Sequence, residues 1–127
     1  MSPRPSYRRI VASDDDPMLL AFVAATLRGA GHCVFTAYDG ESACELALQL
    51  DDVDLMITNT RLGTTSAREL IRAVRREKPA LPILHVGEPL PNPEGLLDDV
   101  PNLPEPFTAE TLLTAVQQLL ARREPRK

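Results

Sequence analysis

Short apolar runs alternate with helical segments along the whole chain, and that alternation constrains the fold more than any other feature. The runs are RIVAS (9–13), CVFTA (33–37), VDLMIT (53–58) and PILHV (82–86). Each is too short and too β-rich to be a helix, and the first three are followed by apolar residues at helical spacing. Such a chain implies a parallel sheet with helices on both faces, joined by right-handed crossovers.

The helix boundaries carry their own signals. Asp16 is placed to cap a first helix with Pro17 in its first turn, and Gly29 and Gly31 supply the stop. Met18, Leu19, Phe22, Val23, Thr26 and Leu27 are expected on its buried face. A second helix starts near Asp39 and Gly40, with Ala43, Leu46, Ala47 and Leu50 inward. Ser66-x-x-Glu69 is a capping box for a third, with Ala67, Leu70, Ile71 and Val74 inward, ended by Pro79. Thr108 caps a last helix whose core stripe is Leu112, Leu113, Val116, Leu119 and Leu120.

One segment breaks the alternation. GEPLPNPEGLLDDVPNLPEPF (87–107) carries prolines at 89, 91, 93, 101, 104 and 106. Proline removes a backbone donor and clashes with the preceding helical turn. The fourth helix is therefore expected to be shortened or replaced by a loop before a short fifth strand near 100–103. Five strands in 127 residues suit the smaller doubly wound α/β pattern, strand order 2-1-3-4-5, as one domain with a core of about 8–122. Ligands in such sheets bind beyond the carboxyl ends of the strands, where the order reverses. The residues delivered there are Asp14, Asp15 and Asp16 from the first strand and Asn59 from the third.

Taken in order, RIVASDDDP, DLMITNTRL, LPILHVG and NLPEPF resemble the receiver domain of bacterial response regulators, over about residues 8–122. The resemblance implies the flavodoxin-like receiver fold and a place in two-component signalling or a phosphorelay. It also implies a site in which two acidic residues hold Mg²⁺ and an aspartate takes the phosphoryl group. A lysine, a Thr or Ser hydroxyl and a switch aromatic complete such a site.

Mapped residue by residue, only the acidic pair remains, as Asp14 and Asp15. These are candidate Mg²⁺ ligands, with helix capping and dipole compensation as the plainer role. Asn59 stands at the phosphoacceptor position, and an amide lacks the anionic oxygen an acyl phosphate requires. Gly87 replaces the hydroxyl residue, Asn102 the aromatic and Glu105 the lysine. Clustered carboxylates raise one another's pKa unless a cation intervenes. Glu105 is therefore expected either to act as a cation ligand or to swing into solvent.

The remaining chemistry-bearing residues have bland readings. Cys33 and Cys44 have no CxxC spacing and read as two small buried hydrophobes. His85 reads as a hydrogen-bonded core histidine and His32 as exposed and inert. The net charge of −4 argues against a general nucleic-acid or anionic-membrane binder. Arg72, Arg75 and Arg76, and the tail Arg122, Arg123, Arg126 and Lys127, suit solvated helix ends. No run approaches the ~20 apolar residues of a membrane span, and the basic N-terminus lacks the apolar stretch of a signal peptide.

These readings lead to an expectation of a cytoplasmic, non-enzymatic pseudo-receiver with no certain cofactor. It would act through protein contacts made by residues 88–104 and the last helix. Its partner would be a histidine kinase, a downstream regulator or a second copy of itself. Two alternatives stand beside it. One is a working receiver phosphorylated elsewhere, with Thr58 and Thr60 flanking Asn59 but turned away from it by strand alternation. The other is a Mg²⁺-dependent phosphatase using Asp14-x-Asp16.

Overall fold

The computed structural model describes residues 8–60 and 62–123. The elements run β1 (Arg9–Ser13), α1 (Pro17–Gly29), β2 (Cys33–Ala37), α2 (Gly40–Gln49), β3 (Leu55–Asn59), α3 (Ala67–Glu77), β4 (Ile83–Val86), β5 (Asn102–Leu103) and α4 (Ala109–Arg123). All strand pairs are parallel, in the order β2-β1-β3-β4-β5. The expected doubly wound sheet is therefore the observed one. Residues 1–7 and the basic tail beyond 123 lie outside the described residues.

Side-chain alternation sorts the core into two layers. Ile10, Ala12, Ile57, Leu84 and Val86 face α1 and α4, where they meet Leu20, Val23, Leu27, Leu112 and Val116. Val11, Met56 and Ile83 face the other way, onto Ala43, Ala47, Leu70, Ile71 and Val74 of α2 and α3. Asp16 caps α1 by accepting from the N–H groups of Met18 and Leu19, and Ser66 and Glu69 close the capping box of α3.

Several local expectations shift. On α1 the buried residues are Leu20, Val23, Ala24 and Leu27, while Met18 is 82% and Phe22 40% exposed. Apolar residues occur all around this helix, so spacing alone does not set the phase of its buried stripe. Leu46 and Leu113 are half-buried rather than fully buried. Cys33 is exposed because it opens β2, an edge strand, and Cys44 is half-buried, where burial pushes its thiol pKa up. His32 is half-buried, and its Nδ1 accepts from the N–H of Arg8, 3.1 Å away. β5 keeps only two residues, between Pro101 and Pro104, neither of which has an N–H for the ladder.

The proline-rich stretch after β4 forms turns, with no helix. Successive turn bonds join Gly95 to Asn92, Asp98 to Gly95 and Val100 to Leu97. Leu90, Leu96, Leu97 and Val100 pack on the α2–α3 side of the core. Arg68 and Arg72 both reach Glu94, at 2.7 and 2.8 Å, and Arg75 reaches Asp99 at 3.1 Å. The turns thus cover the face that a fourth crossover helix would otherwise shield.

Candidate functional site

The carboxyl ends of β1 and β3 lie side by side, with Ser13 paired to Thr58. Asp14 and Asn59 project from these ends toward the α1–α4 side, in line with Ala12 and Ile57. Both are buried, Asp14 at 2% and Asn59 at 0% exposure. Asn59 Nδ2 donates to Oδ2 of Asp14 and to Oε2 of Glu105, each at 2.9 Å. Oδ1 of Asp14 accepts from the N–H of Asp16, also at 2.9 Å. A neutral amide therefore joins two carboxylates through its two hydrogens. Glu105, although exposed, keeps its Oε2 on the Asn59 amide.

Gly87 closes the other side of the amide. Its φ is +104°, and a Cβ built there would come within 3.0 Å of Oδ1 of Asn59. Asp15 sits on the exposed rim, where its Oδ2 accepts from the N–H of Gly63 at 3.2 Å. That bond ties the β1–α1 turn to the loop after β3.

A second polar cluster lies on the opposite face of the same strand ends. His85 follows Ile83 toward the α2–α3 side and is 3% exposed. Its Nδ1 meets Oδ1 of Asn102, and its Nε2 lies 3.1 Å from Oγ1 of Thr60. Asn102 Nδ2 donates to the Gly87 carbonyl at 3.2 Å, and Thr60 Oγ1 is 2.9 Å from the Glu88 carbonyl. Burial holds the His85 pKa below its ordinary value, against the opposing effects of the Asn102 hydrogen bond and the Glu105 charge.

The sequence-derived site residues thus divide between two clusters. Asp14, Asn59 and Glu105 converge with Gly87 on one face, while Asn102 joins His85 on the other. Asp15 stands apart on the rim. Thr60, expected only as a residue turned away from Asn59, and the Glu88 carbonyl, which the sequence did not indicate, both belong to the second cluster. Alternation places Thr58, Thr60 and His85 on one side, but only the tertiary path of the chain brings Glu88 to Thr60.

A divalent cation at this site would need hard oxygens converging on one point. The amide instead presents nitrogen between the two carboxylates, and turning it over would exchange two favourable bonds for oxygen–oxygen repulsion unless a cation replaced them. Among the described residues, no three His, Cys, Asp or Glu side chains are grouped to hold a metal ion. The arrangement does not fit the Mg²⁺ site expected of an active receiver.

Fold and site together define a doubly wound α/β domain whose polar centre lies at its topological switch point. Residues 10–89 match the family model described as the response regulator receiver domain, and the chain belongs to that family. Its fold is close to the chemotaxis response regulator CheY4 of Vibrio cholerae, at TM-score 0.80 and 29% identity, over 90% of this chain and 99% of that one. The DNA-binding dual master transcriptional regulator RpaA of Synechocystis is 31% identical over 124 residues, 91% of this chain and 50% of that protein. The transcriptional regulatory protein GlrR of Escherichia coli is 30% identical over 84 residues, 66% of this chain and 18% of that protein. The chain spans half or less of these curated relatives. Receiver domains are signalling domains of two-component systems and work with protein partners such as kinases and regulators. No described helix is long and apolar enough to cross a membrane.

Proposed function

We infer that this domain is a pseudo-receiver: a single receiver-like unit, core about 8–122, that is not phosphorylated at the end of β3. The observation that carries this reading is the amide bridge from Asn59 to Asp14 and Glu105. In a working site the acidic cluster is neutralised by a metal and a lysine, and a carboxylate oxygen attacks phosphorus. Here an amide with no nucleophilic oxygen anion satisfies the carboxylates by donating hydrogen bonds. Gly87 and Asn102 supply neither the hydroxyl nor the aromatic ring of a phosphate-driven switch.

The alternatives fit less well. Thr58 is fully buried and the Thr60 hydroxyl is engaged by His85 and Glu88, so neither is presented to a phosphodonor. Asp16 caps α1 and Asp14 accepts from Asn59 and from the N–H of Asp16, so both carboxylates of Asp14-x-Asp16 are engaged in structural hydrogen bonds. On this reading the domain is cytoplasmic and non-enzymatic. It acts through protein contacts made by residues 88–104 and α4, with a histidine kinase, a downstream regulator or a second copy as partner.

The test is incubation with Mg²⁺ and acetyl phosphate, or with beryllofluoride, read by intact mass and NMR. No phosphoryl adduct and no Mg²⁺-dependent beryllofluoride shifts are expected. A stable adduct on any residue would sink the reading.

A further inference from the structure

The cluster around His85 contains one hydroxyl proton and two acceptors that both need it. Thr60 Oγ1 lies 2.9 Å from the Glu88 carbonyl and 3.1 Å from His85 Nε2. A threonine hydroxyl donates once and accepts at its lone pairs. It can serve both neighbours only if Nε2 itself carries a proton and donates to Oγ1.

The other end of the cluster fixes the remaining proton. Asn102 Nδ2 donates to the Gly87 carbonyl at 3.2 Å, which leaves Oδ1 facing the imidazole. His85 Nδ1 must then carry a hydrogen in either charge state. The neutral ring is consequently the Nδ1–H tautomer with a bare Nε2, and the Thr60 hydroxyl has a choice of acceptors. In the imidazolium every contact of the chain Gly87–Asn102–His85–Thr60–Glu88 is met at once.

We propose that His85 and Thr60 form a proton-operated switch on the segment after β4. With Nε2 bare, the Thr60 hydroxyl donates to the imidazole. With Nε2 protonated from solvent, the hydroxyl turns to the Glu88 carbonyl and fastens the start of the 88–100 segment to the tip of β3. Glu88 is exposed and Thr60 half-buried, so water can take over the carbonyl when the hydroxyl leaves it.

The surroundings leave His85 as the group that titrates. From the loop after β5, the Glu105 carboxylate acts on it at a distance and favours the charged ring. Thr58 of β3, Thr60 just beyond it and Asn102 of β5 are uncharged. The Glu88 side chain is exposed, and only its backbone carbonyl enters the cluster. On α3 and the covering segment, Arg68 and Arg72 pair with Glu94, and Arg75 with Asp99, on the outer surface. Burial opposes the charged ring and sets the transition below the ordinary histidine value of 6.5. The proposal does not depend on whether the Asn59 site takes phosphate, because the two clusters lie on opposite faces of the sheet.

The experiment is a pH titration of the labelled full chain by NMR, from about pH 8 to about pH 5. It reads the His85 ring nitrogens and the carbonyl carbon of Glu88. The expected result is an Nδ1–H tautomer at high pH and a Glu88 carbonyl shift that shares the His85 midpoint. In Thr60→Val the Glu88 response is lost while His85 still titrates, and in Thr60→Ser it is retained. An Nε2–H neutral tautomer, or a Glu88 carbonyl that ignores His85, overturns the proposal. So does a response that survives in Thr60→Val. Should Thr60→Val not fold, the tautomer and the shared midpoint in the unmodified chain decide by themselves.

Discussion

The side-chain nitrogen of Asn59 donates to Oδ2 of Asp14 across 2.9 Å, at a position with no solvent exposure. The same nitrogen donates to Glu105 at an equal distance. Hydrogen bonds to ionised groups contribute more than neutral ones, about 1.5–3 kcal/mol. An uncharged residue thereby does structural work that a cation and a lysine share in an active receiver.

Asn59→Asp exchanges both donated bonds for a third carboxylate between Asp14 and Glu105. We expect a loss of stability on the order of 2–3 kcal/mol at neutral pH, measured by urea unfolding. Clustered carboxylates take up protons more readily than isolated ones, so the penalty should shrink as pH falls. Millimolar Mg²⁺ should restore part of it, since the new carboxylate creates the oxygen set that the amide denies. Acetyl phosphate should still leave no adduct, because Glu105 and Gly87 are unchanged. Full stability at pH 7 without Mg²⁺ would show that the amide bridge contributes nothing.

Gly87→Thr is expected to destabilise by about 1–3 kcal/mol. A φ of +104° is unfavourable for any L side chain and worst for a β-branched one, and the new Cβ meets Asn59 Oδ1 at 3.0 Å. Gly87→Ala should cost less than Gly87→Thr in thermal unfolding. Rebuilding an active site with Asn59→Asp, Glu105→Lys and Gly87→Thr therefore faces a backbone obstacle as well as a chemical one. If Gly87→Thr is as stable as the parent, the loop after β4 has relaxed and the obstacle is absent.

How much of this was legible in the sequence follows from which interactions are local. The caps of Asp16 and Ser66 and the loss of a helix among the prolines are set by residues close in sequence, whereas strand order, which pairs Ile10 with Leu55, was readable only because strand–helix alternation matches a known doubly wound pattern. The buried stripe of α1 was not, because Met18 and Phe22 are as apolar as Leu20 and Ala24 and spacing cannot rank them. Asn59 could be placed at a strand end by order and alternation, and Gly87, Asn102 and Glu105 at the site by what the resemblance to receiver domains implies. What Glu105 does there could not, since its partner Asn59 lies 46 residues away. The meeting of Thr60 with the Glu88 carbonyl is likewise a product of tertiary path.

Both histidines make the protein less stable in acid. Burial is the largest cause of the lowered pKa at His32 and at His85. Unfolded, each takes a proton as pH falls through its ordinary value of 6.5; folded, each does so only at lower pH. The unfolded chain thus binds more protons in that window, and stability that is present above pH 6.5 is lost as pH falls below it. The urea midpoint should drop from pH 7 to pH 5.5, and His85→Gln should flatten the part of the slope due to His85. A midpoint that rises over that range would contradict the sign.

The covering segment raises a last question, whether charge or apolar contact holds it down. Glu94 is 61% exposed although both Arg68 and Arg72 reach it, and Asp99 is 65% exposed. Exposed pairs of this kind are worth about 0.2–1 kcal/mol and weaken with salt. Leu97 packs half-buried against the core beside Leu90, Leu96 and Val100. Truncating such a side chain removes apolar contact worth roughly 1–2 kcal/mol. Leu97→Ala should therefore loosen residues 90–100 more than Glu94→Gln does, read as faster amide hydrogen exchange confined to that stretch. Salt at about 1 M should erase most of the Glu94→Gln effect and little of the Leu97→Ala effect. If Glu94→Gln opens the segment more widely, the arginine pairs on α3 are its principal fastening, and the apolar contacts merely follow.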